Sequence, residues 1–145
     1  SRGGRLDPEL RALLDEGLID AVQFHGDESP EECAAVGAPY YKALGIGALE
    51  DLDRSEMYRS PRVLLDARVE GVRGGSGTRV AAELVCEAAA RGPVWLAGGI
   101  TPENIQDLVE RFRPELIDCA SGVEASPGKK DHQKLRRLFT ALNEE

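Results

Sequence analysis

Short apolar segments that end in small residues alternate with helical segments along this sequence of 145 residues. Residues 93–131 show the pattern most clearly. A strand-like apolar run ends at Gly98 and Gly99, a helical segment follows, and a second apolar run ends at Ser121 and Gly122. Strand, glycine turn, helix, strand and turn is the order of a parallel βα unit. Because ligands bind at the carboxyl ends of strands in parallel α/β folds, these two turns are candidate binding positions.

The same alternation predicts five strands, each followed by a helix, and one further helix in front. The predicted strands are residues 19–24, 40–44, 63–66, 94–97 and 116–119. The predicted helices are residues 6–14, 29–37, 49–58, 80–90, 101–112 and a C-terminal helix that carries Leu135, Leu138, Phe139 and Leu142. Thr101 as the N-cap and Pro102 at the first helical position predict the start of the fifth helix. Residues 127–131 are predicted as a loop.

This pattern predicts an α/β fold with a parallel sheet and helices packed outside it, and we expect residues 1–145 to form a single domain. Periodicity leaves open whether the five strands form an open sheet or part of a barrel. A closed eight-stranded barrel typically takes about 250 residues, so this chain would supply only part of one.

The composition disfavours several classes of partner. The formal net charge of −8 argues against a nucleic-acid partner, because phosphate backbones require basic patches. No apolar run approaches the length of a membrane span and the first residues lack the apolar core of a signal peptide, so we expect a cytoplasmic protein without a membrane partner. Cys33, Cys86 and Cys119 are scattered without CxxC spacing and only two histidines are present, so we expect reduced thiols and no metal site.

Asp66 is the most informative single residue, because it directly follows three apolar residues at the carboxyl end of a predicted strand. A carboxylic acid at the mouth of a site can serve as a general acid. An aspartate in this position also commonly caps a following glycine turn, and the pattern leaves both interpretations open.

Glycine-containing turns are the candidates for binding an anion. Gly74 and Gly75 belong to a glycine-rich loop that leads into a helix, but its spacing matches neither the Walker A pattern nor GxGxxG, and a lid explains it equally well. The two strand-end turns of residues 93–131 are better placed, because two neighbouring turns that converge on one phosphate form the usual phosphate site of barrels. Tight turns require glycine for steric reasons too, so the residues alone do not separate the two causes.

Three further side chains could contribute to a site. His25 ends the first predicted strand and faces the same rim as Asp66, where it either hydrogen-bonds an anionic substrate or serves a structural purpose. Asp118 lies in the last predicted strand and needs a partner, either a substrate group or a basic side chain, because burying an unpaired carboxylate is costly. Lys42 lies inside a strand, and one open interpretation is that it points into the barrel.

Together these residues resemble the phosphoribosylanthranilate isomerases of tryptophan biosynthesis. The resemblance rests on AVQFHGDESPE, VLLDARVEGVRGGSGT, LAGGITPENIQ and IDCASGVEASPGKKDHQKL, and it runs from about residue 19 to the C-terminus. It implies a ribulose-phosphate-binding (βα)8 barrel of the TIM type and a phosphorylated sugar–anthranilate substrate. The implied reaction is the Amadori rearrangement of N-(5-phosphoribosyl)anthranilate to 1-(2-carboxyphenylamino)-1-deoxyribulose 5-phosphate, without a metal or organic cofactor.

The resemblance also implies roles for individual residues. In the family, the aspartate of the LLD strand is the general acid that protonates the furanose ring oxygen, and that position is Asp66 here. A cysteine base then removes the proton from C2 of the Schiff base. The implied substrate-binding residues lie on the strand ends and the glycine-rich loop: His25, Asp118, Gly74, Gly75, Gly98, Gly99, Ser121 and Gly122.

The strand that carries the family's cysteine base, and the two βα units that follow it, have no counterpart in this sequence. Cys33 and Cys86 fall on predicted helices and Cys119 on the last predicted strand. Three interpretations remain open. The chain is part of a longer polypeptide that supplies the N-terminal part of the barrel, it folds alone or pairs as a homodimer, or it is a truncated sugar-phosphate-binding module. Losing one member of an acid–base pair typically costs on the order of 100- to 10,000-fold in rate.

Overall fold

The computed structural model describes residues 5–60, 62–67 and 76–143. The elements are, in chain order, α1 (Pro8–Asp15), β1 (Val22–Phe24), α2 (Pro30–Ala35), β2 (Tyr40–Gly45), α3 (Leu49–Ser55), β3 (Val63–Asp66), α4 (Ser76–Arg91), β4 (Trp95–Ala97), α5 (Ile105–Phe112), β5 (Leu116–Asp118), a 3₁₀-helix (Ser121–Val123), β6 (Glu124–Ser126), β7 (Lys129–Lys130) and α6 (His132–Asn143). The predicted strands and helices are all present, with ends displaced by up to four residues.

Strands β1 to β5 form one parallel sheet in which each strand pairs with the next strand of the sequence. Crossovers between parallel strands are right-handed as a rule. Because each new strand is added on the same side of the preceding one, such crossovers place the connecting helices on one face of the sheet. A doubly wound sheet instead reverses its strand order and carries helices on both faces. The strand order is therefore that of a barrel wall.

The main hydrophobic core lies between the sheet and its helices. Leu65 and Leu96 project from the strands into this core, where they join residues of α4, α5 and α6. A smaller cluster lies beneath α2, where Phe24 packs with Cys33 and Val36. The opposite face of the sheet is left to line a cavity at the carboxyl ends of the strands.

Helix α2 begins with a serine cap followed by a proline. Ser29 Oγ accepts the N–H of Glu32 at 3.1 Å, and Glu32 Oε2 accepts the N–H of Ser29 at 2.8 Å. This is a capping box, which satisfies two N–H groups that the helix itself leaves unpaired. Pro30 occupies the first helical position, where an N–H would have no partner within the helix.

Helix α5 begins later than the sequence predicts. Thr101 and Pro102 lie in a turn, and the N-cap is Asn104. Asn104 Oδ1 accepts the N–H of Thr101 at 2.8 Å, and Asn104 Nδ2 donates to the Gly99 carbonyl at 2.8 Å. The prediction that Thr101 caps the helix is wrong, because the amide of Asn104 folds the preceding residues back onto the end of β4.

Residues 127–131 contain part of a hairpin, so the prediction of a loop is wrong for β7. Strand β7 pairs antiparallel with β6. Lys130 Nζ donates to the Ala120 carbonyl at 3.0 Å and contacts Glu124 Oε1 at 3.1 Å. These contacts fix the hairpin against the turn that contains Ser121. Strands of two or three residues are too short to show an alternating pattern.

Lys42 does not point into the barrel, so that interpretation is wrong. In the register of the sheet it shares a row with Phe24 and Val63, on the face that the helices cover. Successive strand residues face opposite sides. The neighbours of Lys42, Tyr41 and Ala43, therefore occupy the inner face, and Ala43 lines the cavity there.

Two expectations drawn from the composition can be compared with the structure. Cys33, Cys86 and Cys119 are free cysteines, as predicted. Within residues 5–60, 62–67 and 76–143, none of the helices combines the length and the apolar character needed to cross a lipid bilayer.

Candidate active site

A cavity of about 450 Å³ opens at the carboxyl ends of the parallel strands. Seven residues singled out in the sequence line it: His25, Asp66, Gly98, Gly99, Asp118, Ser121 and Gly122. This arrangement confirms the prediction that His25, Asp66 and the two glycine turns share one rim, and Asp118 lines the same cavity. The other two predicted binding residues, Gly74 and Gly75, lie outside the described residues.

The two glycine turns of the cavity lie against each other. Gly98 and Gly99 have φ angles of 98° and 73°, in the left-handed region where glycine is favoured. Gly122 is required for a different reason, since a Cβ at this position would lie 1.9 Å from the carbonyl oxygen of Ile100. The turn after β5 therefore packs directly on the turn after β4. This close approach brings the backbones of both turns to one corner of the cavity.

Two carboxylates belong to the same inner face of the sheet. Asp66, Ala97 and Asp118 form one register row across β3, β4 and β5, so the two acids are two strand spacings, or roughly 10 Å, apart. The Asp66 carbonyl accepts the N–H of Ile46 at 2.9 Å, and the N–H of Ala67 bonds the Ala97 carbonyl at 3.1 Å. Asp66 therefore projects from a strand end whose backbone is held by both neighbouring strands.

Aromatic residues form the inner face toward the amino ends of the strands. Tyr41 donates its hydroxyl to Gln23 Oε1 at 2.9 Å, and its ring meets Trp95 edge-on with centroids 5.4 Å apart. Burial and the nearby charge of Asp118 raise the pKa of Tyr41, so its hydroxyl remains a donor at neutral pH. Trp95 Nε1 in turn donates to Glu115 Oε1 at 2.9 Å. These contacts hold the inner wall beside the cavity in place.

The cysteines of the chain do not supply a base at this site. Cys119 directly follows Asp118, but its side chain packs against the main hydrophobic core on the helix side of the sheet. Burial and the charge of Asp118 raise the pKa of its thiol, which disfavours the thiolate that proton abstraction would need. Cys33 is buried on α2 and Cys86 is exposed on α4. In the described part of the chain, no cysteine lines the cavity.

The opposite end of the sheet carries a second cavity, of about 320 Å³. Arg62 and Arg91 are among the residues that line it, and both are engaged in ion pairs, with Glu115 and with Asp53 respectively. None of the seven predicted site residues that the structure describes lines this cavity. Polar residues at the amino ends of barrel strands generally serve stability, whereas the carboxyl ends carry the chemistry.

Among residues 5–60, 62–67 and 76–143, no three His, Cys, Asp or Glu side chains form a group that could hold a metal ion.

Strand order, inner-face cavity and paired glycine turns define a class of protein: parallel βα proteins of the TIM-barrel type. Comparison with known families identifies the member of this class. The model of the family described as PRAI, N-(5'phosphoribosyl)anthranilate (PRA) isomerase, matches residues 9–141. The chain belongs to this family.

Individual relatives agree with this assignment. An N-(5'-phosphoribosyl)anthranilate isomerase of Pseudomonas fluorescens (strain Pf0-1) is 43% identical over 136 residues, which are 92% of this chain and 66% of that protein. A crystal structure of phosphoribosyl anthranilate isomerase in complex with reduced 1-(o-carboxyphenylamino)-1-deoxyribulose 5-phosphate superposes with a TM-score of 0.72 and 29% identity, covering 92% of this chain and 64% of that one. A monomeric form of the dimeric enzyme from Thermotoga maritima has the same TM-score of 0.72 and 29% identity, covering 92% of this chain and 65% of that one. The chain thus spans about two thirds of the length of these proteins.

Several residues that support the site escaped the sequence analysis. Asn104 bonds the Gly99 carbonyl, and no local pattern distinguishes this amide from any other polar residue near a helix start. For Tyr41 the sequence pattern predicts only a place in a strand. Glu28 forms an ion pair with Lys42, and the one available signal was a lysine within an otherwise apolar strand. A charge in that position needs a partner, and the acidic residues after β1 were the nearest candidates.

Proposed function

We propose that this chain forms the acid-bearing and phosphate-binding part of a phosphoribosylanthranilate isomerase of tryptophan biosynthesis. The reaction converts N-(5-phosphoribosyl)anthranilate into 1-(2-carboxyphenylamino)-1-deoxyribulose 5-phosphate. The observation that carries the proposal is the single cavity that joins Asp66 to the two glycine turns. Membership of the isomerase family supports the same reaction, and a similar solved structure contains the reduced form of the product.

The proposed phosphate position is the corner where the two glycine turns meet. Backbone N–H groups in such turns bind anions without any basic side chain. The net charge of −8 is therefore compatible with a phosphorylated substrate. Gly98, Gly99, Ser121 and Gly122 are the proposed phosphate-binding residues, and the loop that contains Gly74 and Gly75 is proposed to cover the ligand.

The proposed chemistry begins at Asp66. Its carboxylic acid protonates the furanose ring oxygen, the bond from this oxygen to C1 breaks, and the nitrogen lone pair of the anthranilate forms the Schiff base. A base then removes the proton from C2, and the electron pair of that C–H bond moves into the imine to give an enolamine. Tautomerisation with protonation at C1 yields the ketone. His25 and Asp118 are proposed to orient the anthranilate end, and no metal or organic cofactor takes part.

The general base is proposed to come from a part of the barrel outside this chain. We propose that residues 1–145 form one partial (βα)8-barrel domain that is completed by an N-terminal part of the barrel or covered by a second copy. The sheet supports this, because β1 and β5 are its edge strands and parallel edges offer unpaired backbone groups to further strands. Dimerisation in a similar enzyme from Thermotoga maritima supports the homodimer. We place the protein in the cytoplasm.

The test follows the fluorescence of phosphoribosylanthranilate during turnover. The chain is assayed alone and mixed with the N-terminal third of the Pseudomonas fluorescens relative. We expect turnover in the mixture, and we expect Asp66→Asn to lower its rate by about 100- to 10,000-fold because the general acid is lost. Asp107→Asn, at an exposed position of α5, is the matched control and should leave the rate unchanged. Undiminished turnover by Asp66→Asn would refute the assignment of the acid.

The second candidate function is a sugar-phosphate-binding module without turnover. It is favoured by one observation, namely that no described cysteine lines the cavity that contains Asp66. Under this alternative the chain binds reduced 1-(o-carboxyphenylamino)-1-deoxyribulose 5-phosphate, while the substrate fluorescence stays constant even after the N-terminal third is added. Calorimetric titration with the reduced product separates this result from a failure to bind any ligand.

A further inference from the structure

The loop that follows β1 is held by a buried ion pair. Lys42 Nζ lies 2.8 Å from Glu28 Oε2 and donates to the Gly26 carbonyl at 2.6 Å. Glu28 Oε2 also accepts the N–H of Gly26 at 2.9 Å. The pair therefore fixes both the N–H and the C=O of Gly26, the residue that directly follows His25.

Further contacts enclose the pair. The Tyr58 hydroxyl donates to the Glu28 carbonyl at 2.7 Å, and the Tyr58 ring centroid lies 5.6 Å from Lys42 Nζ, within cation–π distance. A Cβ on Gly26 would lie 3.0 Å from Glu28 Oε1, so the carboxylate packs directly on this glycine. The Lys42 side chain has no exposed surface, and the Glu28 side chain is 19% exposed.

Stability alone does not explain why an ion pair occupies this largely buried position. Removing two charges from water is costly, and well-packed apolar residues of similar size are often at least as stabilising. Partial burial alone would raise the pKa of Glu28, but the hydrogen bond and charge of Lys42, together with backbone N–H groups, lower it below its ordinary value. The carboxylate is therefore ionised at neutral pH and holds both of its partners.

We propose that the Lys42–Glu28 pair positions His25 for the substrate. It fixes the peptide after His25, so that the imidazole lines the same cavity as Asp66. Lys42 and Glu28 act through this loop, from the helix side of the sheet, and are positioning residues. This inference rests on the proposed function, because it concerns the end of the site that takes the anthranilate group.

The position of His25 predicts that loss of the ion pair weakens binding at one end of the ligand and not at the other. His25 follows β1, whereas Gly99 follows β4, three strands or roughly 14 Å away along the sheet. Loosening the loop after β1 should therefore weaken contacts with the aromatic end of a ligand and spare the phosphate corner. A variant that merely destabilised the fold would affect both ends alike.

The first test measures the surroundings of His25 in the protein without any ligand. His25 and His132 are the two histidines of the chain, so their ring signals can be assigned and compared by NMR. In Lys42→Met, which removes the ammonium and keeps a long side chain, we expect the His25 ring signals to shift or broaden and the His132 signals to stay. Lys129→Met, at an exposed position of the hairpin, is the control. Unchanged His25 signals in folded Lys42→Met would overturn the proposal.

The second test measures affinity by calorimetry with two probes, inorganic phosphate and reduced 1-(o-carboxyphenylamino)-1-deoxyribulose 5-phosphate. We expect Lys42→Met and Glu28→Gln to weaken binding of the reduced product by about tenfold, the effect of one lost hydrogen bond, and to leave phosphate binding within twofold. Equal losses for both probes, or unchanged binding of the reduced product, would overturn the positioning role.

The two tests separate this inference from the proposed function. If the wild-type chain binds neither probe, the proposed function fails, and the His25 signals still decide whether the pair holds the loop. If Lys42→Met does not fold, Glu28→Gln is used for both measurements, because it removes the ion pair with Lys42 at a side chain that is 19% exposed.

Discussion

Gly122→Ala tests whether the two glycine turns form the phosphate site. The added Cβ would lie 1.9 Å from the carbonyl oxygen of Ile100, and real Cβ atoms essentially never approach another heavy atom closer than 3.0 Å. The two turns must therefore separate by at least about 1.1 Å, the difference between these distances. The two atoms closer than 3.0 Å are the backbone C and O of Ile100, in the turn after β4, so no flexible side chain can move aside.

The size of the effect follows from this displacement. An N–H donor about 2.9 Å from a phosphate oxygen that moves away by about 1 Å no longer forms a hydrogen bond. A hydrogen bond to a charged group contributes about 1.5–3 kcal/mol, so the loss of one bond weakens phosphate binding by about 10- to 150-fold. The strain of the added methyl group should lower the free energy of unfolding by about 1–3 kcal/mol.

The assay combines calorimetric titration of inorganic phosphate with urea unfolding. Gly47→Ala is the matched control, because a Cβ there would meet only Asp51 Oδ2 at 4.0 Å, an ordinary contact distance. We expect this control to bind phosphate like the wild type. If folded Gly122→Ala also binds phosphate within twofold of the wild type, the two turns do not form the phosphate site.

Three further predictions concern the supports of the site. Asn104→Ala removes two hydrogen bonds, to Thr101 and Gly99, and should lower the free energy of unfolding in urea by about 1–3 kcal/mol. An unchanged unfolding midpoint would contradict the role of this amide. The folded-state pKa of Glu28 lies below its ordinary value of 4.5, so its contribution to stability is present above about pH 4.5 and is lost as the pH falls through the folded pKa. The difference in unfolding free energy between wild type and Glu28→Gln should therefore shrink below pH 4.5, and a difference independent of pH would refute this reasoning. Tyr41→Phe removes the hydrogen bond to Gln23 and should lower the free energy of unfolding by about 0.5–1.5 kcal/mol. Unfolding is measured by the fluorescence of Trp95, the single tryptophan, and no loss of stability would indicate that the bond is absent in solution.

Local signals in the sequence were sufficient to predict the strands of the parallel sheet, the α-helices and their order. The capping box of Ser29 and Glu32 is contained within four consecutive residues, so it could be predicted without knowing what packs above it. The same holds for Asp66, because an acid directly after an apolar strand must lie at its carboxyl end. Gly98 and Gly99 ended their strand where expected, since their positive φ angles are favourable for glycine.

Predictions failed where a residue is controlled by contacts that are distant in sequence. Lys42 was ambiguous because a strand pattern with apolar residues on both sides does not reveal which face is covered by helices. Only the register with Phe24 and Val63 shows that it belongs to the helix side. The start of α5 failed for a different, local reason, because the amide of Asn104 bonds Gly99 and Thr101 in the turn after β4 and itself becomes the cap.

The amino-acid sequence by itself determined the alternation of strands and helices, the turns at the strand ends and the position of the candidate acid. These features depend on hydrophobic period and backbone preference, which neighbouring residues decide. Tertiary structure alone decided that the turns of Gly99 and Gly122 touch and that Glu28 pairs with Lys42 behind His25. Sheet register and packing set those contacts, because they join residues that are far apart in the chain and bring them within a few ångströms.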